Sequence, residues 1–328
     1  MVHPVQRVSY QTRSHFELWK AACRGRQDLD RFCSSPLWCL PLNEAFPNGG
    51  SVYVYTDSQD TSDLAVFSER QVRGGTLVMP LDGMWLLGAP LLAKNSDLLL
   101  SKLVKYWATN PVQGIRQIMI SGLYQQSPLY HSEIWSHLHA WSAEPSGRMV
   151  ASLEGGMDGF MSRRSKNFRS RLRRTVKAAE KDGFLVEFMP QQLDAGPAAA
   201  LMDRIFRLET ESWKGRSGSG IDSGGMRRFY EKMVPVLAGE GRLRGLFLTR
   251  DGQDMAYLFG AYFDDYFRGL QFSYQADESL GLGNVCQYHM LERLVEQGCT
   301  HYDLGQAMKY KRRWAEYEID SKTYVFQI

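Results

Sequence analysis

The stretch Tyr266–Gly305, YFRGLQFSYQADESLGLGNVCQYHMLERLVEQGCTHYDLG, decides how the rest of the chain is read. An aromatic-rich strand ends at Tyr274, and a short polar turn leads into Glu278-x-x-Gly281-x-Gly283. Asn284 then opens an amphipathic helix in which Val285, Tyr288, Leu291, Leu294 and Val295 recur at helical spacing, before a strand over 300–305. Glycines that stand where a strand turns into a helix leave backbone N–H groups unpaired at the helix N-terminus, where the helix dipole also favours an anion. Gly281, Leu282, Gly283 and Asn284, with Tyr274 at the strand end, are therefore candidates for holding a phosphate. The same glycines also suit an ordinary tight turn.

Working outward, the C-terminal half reads as helix 158–182, strand 184–189, helix 195–212, a glycine- and serine-rich loop 213–225 and helix 226–238. Strands RLRGLFLT and MAYLFGAYF precede the decisive stretch; a helical AMKYKRRWAE and a closing strand KTYVFQ follow it. The first half repeats the order on a smaller scale: helix 14–24, strands over 51–56, 63–69 and 74–81, helix 97–110 closed by Asn110-Pro111, and strand 115–123. Pro145, Gly147, Gly155 and Gly156 mark Ser142–Gly156 as a connection between domains. The expected organisation is 1–145 and 146–328, each an α/β (α+β) domain with a mixed, mostly antiparallel sheet flanked by helices. Loop 213–225 has the composition of a flexible linker and is expected to be mobile, a candidate lid over the site.

A chain of 328 residues suits two cores rather than one. Apolar residues at 44% and charged residues at 23% are globular averages. The greasiest run, Met84–Leu92, is broken by Gly88 and Pro90 and is too short for a membrane helix. The N-terminus shows no apolar stretch followed by a cleavage site, so a cytoplasmic protein is expected. Five cysteines without a C-x-x-C pair read as reduced, buried thiols, with a Cys39 or Cys286 nucleophile as the alternative, and the histidines show no metal-ligand spacing. Net charge is only +3, yet Arg163–Lys181 carries nine cations against Glu180 alone. Phe168, Leu172, Thr175, Val176 and Ala179 form the apolar stripe of that helix. Its other faces, with Arg163, Arg164, Lys166, Arg169 and Arg173, are either a solvated surface or a seat for a polyanion such as CoA, a nucleotide-sugar, tRNA or an anionic membrane.

Strand, E-x-x-G-x-G turn, helix and strand resemble the acetyl-CoA-binding core of GNAT acetyltransferases, whose pattern is Q/R-x-x-G-x-G/A. Glu278 departs from it by placing a carboxylate where that family has Gln or Arg. From about Gly159 onward, the basic segment SRRSKNFRSRLRR (162–174), the aromatic strand pair, the glycine turn, Asp303-Leu304-Gly305, Tyr310-Lys311 and Trp314 look like the CelD/BcsL-type acetyltransferases. These are tandem-GNAT proteins of bacterial cellulose and exopolysaccharide biosynthesis, and their plan is similar to that of the Fem-type aminoacyl-tRNA-dependent transferases. The resemblance implies a degenerate N-terminal GNAT unit and a C-terminal unit holding the donor. That donor would be acetyl-CoA or another acyl-CoA, with aminoacyl-tRNA as the alternative; the histidine and cysteine spacing leads one to expect no metal. The acceptor it implies is an amine or hydroxyl of a small molecule or saccharide precursor. A non-catalytic scaffold in a biosynthetic complex is the remaining alternative.

Acyl transfer needs a base, donors for the tetrahedral oxyanion and an acid for the leaving group. Asp303, at a strand end where α/β sheets place their ligands, and Glu209 and Glu211 are the candidate bases. A structural carboxylate paired with Lys309 or Lys311 is the other reading of Asp303. Tyr310 is a candidate acid or a packed aromatic. The Y-K or F-K pair recurrent in the resembled families implies that Lys311 holds a phosphate or the developing oxyanion.

Overall fold

Strand alternation and helix caps lay out both halves of the chain. In the first half, β1 (Val5–Ser9), α1 (Arg13–Ala22) and α2 (Pro36–Ala45) precede the meander β2 (Ser51–Asp57), β3 (Leu64–Val72) and β4 (Gly75–Met79). The short β5 (Leu91–Leu92), α3 (Ser96–Thr109), β6 (Ile115–Tyr124), α4 (Ile134–His137) and β7 (Trp141–Ser142) follow. Asn95 caps α3 by accepting from the Leu98 N–H, and the helix buries Leu99, Leu100, Leu103 and Trp107. The second half contains β8 (Ser146–Ser152), α5 (Gly156–Ser162), α6 (Lys166–Lys181), β9 (Leu185–Phe188), α7 (Ala195–Glu211), α8 (Trp213–Arg216) and α9 (Gly224–Gly239). It continues with β10 (Leu243–Arg250), β11 (Gln253–Phe263), β12 (Tyr266–Tyr274), α10 (Leu282–Glu296), β13 (His301–Gln306) and β14 (Tyr317–Gln327).

The computed structural model describes residues 5–57, 62–144, 146–276 and 280–328. The chain divides into two units, Met1–Ser146 with Ile319–Ile328, and Gly147–Glu318. The last ten residues thus go to the first unit, where β14 pairs antiparallel with β6 and Tyr324 stacks on Trp135. The strand order there is β1-β2-β3-β4-β6-β14, with β5 on β3 and β7 on β14. In the second unit the order is β8-β13-β12-β11-β10-β9. Within each unit the strands pair antiparallel apart from one parallel pair, β4 with β6 and β12 with β13, spanned by α3 and α10 as crossovers. A mixed, mostly antiparallel arrangement of strands flanked by helices is what the sequence leads one to expect.

Several local expectations are corrected. Helix 158–182 is two helices: α5 ends at Ser162 and Ser165 restarts the chain as the cap of α6, its hydroxyl accepting from the Phe168 N–H. The stretch read as a connection contains β8, whose Arg148, Met149, Val150 and Ala151 are buried; a strand covered on both faces lacks the alternation that signals a strand. AMKYKRRWAE is reduced to one turn of 3-10 helix at Lys311–Arg313. Loop 213–225 is folded onto its surroundings rather than left as a linker. It contains α8, and a Cβ on Gly215 would lie 2.2 Å from the Glu209 carbonyl oxygen. The Glu278 reading lies outside the described residues.

The core that positions the site joins α6 to α10. Leu172, Val176 and Ala179 of α6 pack with Leu282, Val285, Leu291 and Leu294 of α10 and with Leu246, Leu258 and Phe267 of the sheet. Burying each larger aliphatic side chain contributes about 1.5–3 kcal/mol, so the basic helix is fixed against the helix that begins at the glycine turn. No helix among the described residues is long and apolar enough to cross a membrane.

Candidate active site

β12 and β13 pair only from Tyr266–Arg268 to His301–Asp303 and then part. Two features open them. Gly269 lies so close to Tyr302 that a Cβ would sit 2.8 Å from its ring, and Gly305, at φ +84°, turns β13 aside. In the first unit, by contrast, β4 stays paired with β6 from Gly75 to Val78, almost its whole length. A cavity of about 540 Å³ occupies the cleft of the second unit. Gly269–Phe272 and Tyr274 line one wall, Tyr302 and Leu304 the other; Gly281, Gly283, Asn284 and Gln287 close one end, and Lys214, Lys311 and Arg313 supply its cations, with Tyr310 beside them.

Ladder parity shows what β12 offers this cavity. The Gln275 N–H donates to the Met255 carbonyl, so Ser273 and Gln271 also turn their backbone polar groups toward β11. Phe272, between them, turns its carbonyl into the cleft, where Lys214 Nζ donates to it at 2.6 Å. At the end of the cleft Gly281 takes φ +80° and ψ 44° as the cap of α10. A Cβ on Gly283 would lie 3.2 Å from the Phe272 ring and 3.6 Å from Tyr274, so the first turn of α10 abuts the open edge of β12. A Cβ on Gly281 would lie 3.8 Å from the Thr175 methyl, which sets α6 beside the same turn.

Of the candidates from sequence, Gly281, Gly283, Asn284, Tyr274, Tyr310 and Lys311 come together around the cavity. Leu282 does not line it and packs in the core. Lys311 Nζ donates to the Gln306 carbonyl at 3.0 Å. Burial, Arg268 and Lys214 lower its pKa to about 8 against the opposing pull of Asp303. Burial raises the Tyr310 hydroxyl above its ordinary value, with Tyr274 adding to the effect.

The candidate bases stand outside the lining. Asp303 is fully buried and accepts from Tyr266 Oη and Arg268 Nη1, both at 2.5 Å, and from the Gly305 N–H at 2.6 Å, with Arg148 at 3.4 Å. Its partners are arginines of β12 and β8, not Lys309 or Lys311. Glu209, also fully buried, accepts from Tyr257 Oη at 2.8 Å and from the Ile221 N–H at 3.2 Å, which holds the glycine-rich loop. Glu211 is exposed and accepts from Gln275 Nε2. Among the described residues no carboxylate lines the cavity. Burial pushes the thiols of Cys39 and Cys286 up, away from the reactive thiolate form.

The basic segment divides in the same way. Arg164 is buried against Glu316 and the Trp314 carbonyl, Arg163 bonds Glu316 and the Glu154 and Ser152 carbonyls, and Arg169 bonds the Arg164 carbonyl at 2.8 Å. These three brace the α5–α6 corner. Lys166 and Arg173 remain on the exposed face with Arg171, Arg174 and Lys177. Sequence reasoning missed Lys214, Gln271, Gln287 and Arg313, which line the cavity but carry no local sequence signal.

Residues 166–312 match a family model described as an acetyltransferase (GNAT) domain. In fold the chain is similar to the crystal structure of FemX, at 12% identity over 96% of each chain and a TM-score of 0.67. It is similar also to L-PGS from Bacillus licheniformis, at 12% identity over 89% of this chain and 91% of that one, with a TM-score of 0.54. A third neighbour is a tandem GNAT protein from the clavulanic acid biosynthesis pathway, at 10% identity over 98% of each chain and a TM-score of 0.50. None of the curated protein sequences matches. The family match falls within the second unit, and at these identities the likeness to solved structures is one of fold.

Proposed function

We propose that the protein is an acyltransferase whose second unit holds an acyl donor in the cleft between β12 and β13. The observation that carries this reading is the parted parallel pair, with the Gly281–Asn284 turn at one end and the Lys311 ammonium in the lining. The donor's phosphates would meet the N-terminal N–H groups of α10, next to the cations of α6. Its carbonyl would lie near Lys311. As the acceptor amine or hydroxyl attacks that carbonyl, a C–N or C–O bond forms and the bond to the leaving group breaks; Lys311 stabilises the oxyanion, and Tyr310 gives its proton to the leaving group and takes the one the acceptor loses. Asp303 acts at one remove, by holding Arg268 and the Gly305 bend. Glu209 likewise holds the loop that carries Lys214.

We take an acyl-CoA as the donor, in keeping with the family model, and a small-molecule or saccharide-precursor acceptor in the cytoplasm from the CelD/BcsL-type resemblance. One observation favours aminoacyl-tRNA instead: Lys166, Arg171, Arg173, Arg174 and Lys177 form an exposed basic face on the helix that adjoins the glycine turn. A long polyanion would use that whole face and a CoA only part of it. Thiol release from acetyl-CoA in the presence of amine and amino-sugar acceptors tests the first donor. Binding of aminoacyl-tRNA as a function of salt tests the second. Release of thiol that depends on acceptor supports the CoA reading; tRNA affinity that falls steeply with salt, with no thiol release, replaces it.

A further inference from the structure

Lys214 is a cation of the cleft that the proposed chemistry leaves without a task. It is held in place from several sides. Its backbone N–H donates to Ser212 Oγ, and its Nζ donates to the Phe272 carbonyl at 2.6 Å and to Gln271 Oε1 at 3.0 Å. Gln271 is itself oriented, because its Nε2 donates to Tyr230 Oη at 3.0 Å. Both acceptors of the ammonium are neutral. An ammonium has three donors, so one N–H remains for the cavity that Lys214 lines. The acid that acts on it electrostatically, Glu209, is committed to Tyr257 and the Ile221 N–H. Burial lowers the pKa of Lys214, opposed by Glu209, as expected of a cation held away from water without a carboxylate partner.

We propose that Lys214 binds an oxyanion of the ligand, a carboxylate or phosphate group carried beside the acyl carbonyl, and so selects an anionic substrate over its neutral analogue. The inference rests on the acyl-transfer reading of the cleft and adds the charge of what enters it. A neutral ligand would leave the third N–H unused, whereas an anion forms a charge-assisted bond with a donor whose position is already set. The group can arrive on the acyl chain or on the acceptor.

The test uses the full chain with Lys214→Gln, which keeps an N–H donor and removes the charge, and Lys214→Arg, which keeps the charge. Succinate and inorganic phosphate serve as anionic probes, with succinamide as the neutral counterpart of succinate. Affinity for succinate is expected to fall at least about tenfold in Lys214→Gln and to return in Lys214→Arg, with succinamide unaffected. Acetyl-CoA and succinyl-CoA distinguish the sources. A preference for succinyl-CoA that disappears in Lys214→Gln places the anion on the acyl chain; equal binding of the two, with succinate still bound beside CoA, places it on the acceptor. Unchanged succinate affinity in Lys214→Gln, or an equal loss for succinamide, overturns the proposal and leaves Lys214 as a tie between loop and strand. Failure of CoA to bind, with Gly281→Ala without effect, would instead count against the donor site, and the succinate result would stand apart from it.

Discussion

Lys311 has opposite expected effects on stability and activity. Its pKa of about 8, against 10.5 for an ordinary lysine, means that the unfolded chain holds this proton more tightly than the folded one. Folding therefore carries a cost that is complete below pH 8 and fades as the pH rises toward 10.5. Lys311→Met should raise stability at pH 7 by on the order of 1 kcal/mol in urea unfolding, while acyl transfer falls about 10²- to 10³-fold. In the wild type, turnover should decline as the pH rises through about 8, because the ammonium is the active form. Asp303→Asn should behave the other way. It removes the charge that Arg268 and Arg148 face and should cost about 3–5 kcal/mol of stability, seen as an earlier urea midpoint. The sequence makes Asp303 visible as an acid at a strand end, but its partners on two other strands are products of the fold. Tyr310 and Lys311 could be singled out only through the Y-K pair of the resembled families. Lys214 was hidden because its partners, Gln271 and the Phe272 carbonyl, sit on a strand whose edge opens only in three dimensions.

Among the elements, the decisive stretch was legible because each of its signals is local: an aromatic strand, glycines, then an apolar stripe at helical spacing. Gly281 shows why the glycine matters. Its φ of +80° opposes a side chain, and so does the Asn284 amide, which lies 3.3 Å from where a Cβ would stand. Gly281→Ala should cost about 1 kcal/mol of stability and weaken donor binding further. The break between α5 and α6 was missed because apolar spacing continues across it, although Ser165 followed three residues later by Phe168 is a cap in the structure. Ser165→Ala should destabilise the protein by about 1 kcal/mol, measurable by urea unfolding. β8 was missed for a different reason, since a strand buried on both faces loses its period-two signature.

For the whole molecule, the repeated element order foretold a mixed, mostly antiparallel plan in each half, and each half has one parallel pair among antiparallel strands. What order alone did not show is how the two pairs differ. β4 and β6 stay paired, whereas β12 and β13 part after three residue pairs and leave a cavity. The difference comes from where glycines meet neighbouring backbone and rings, a matter of tertiary packing rather than of periodicity. It underlies the proposal that the donor sits in the second unit. Thermal unfolding of the wild type and Gly281→Ala, titrated at fixed low salt with acetyl-CoA and in parallel with aminoacyl-tRNA, tests that assignment most directly. A donor seated at the glycine turn predicts a saturable rise in midpoint with one of these two ligands that is lost in Gly281→Ala; a midpoint unmoved by either, or moved equally in the variant, would contradict it.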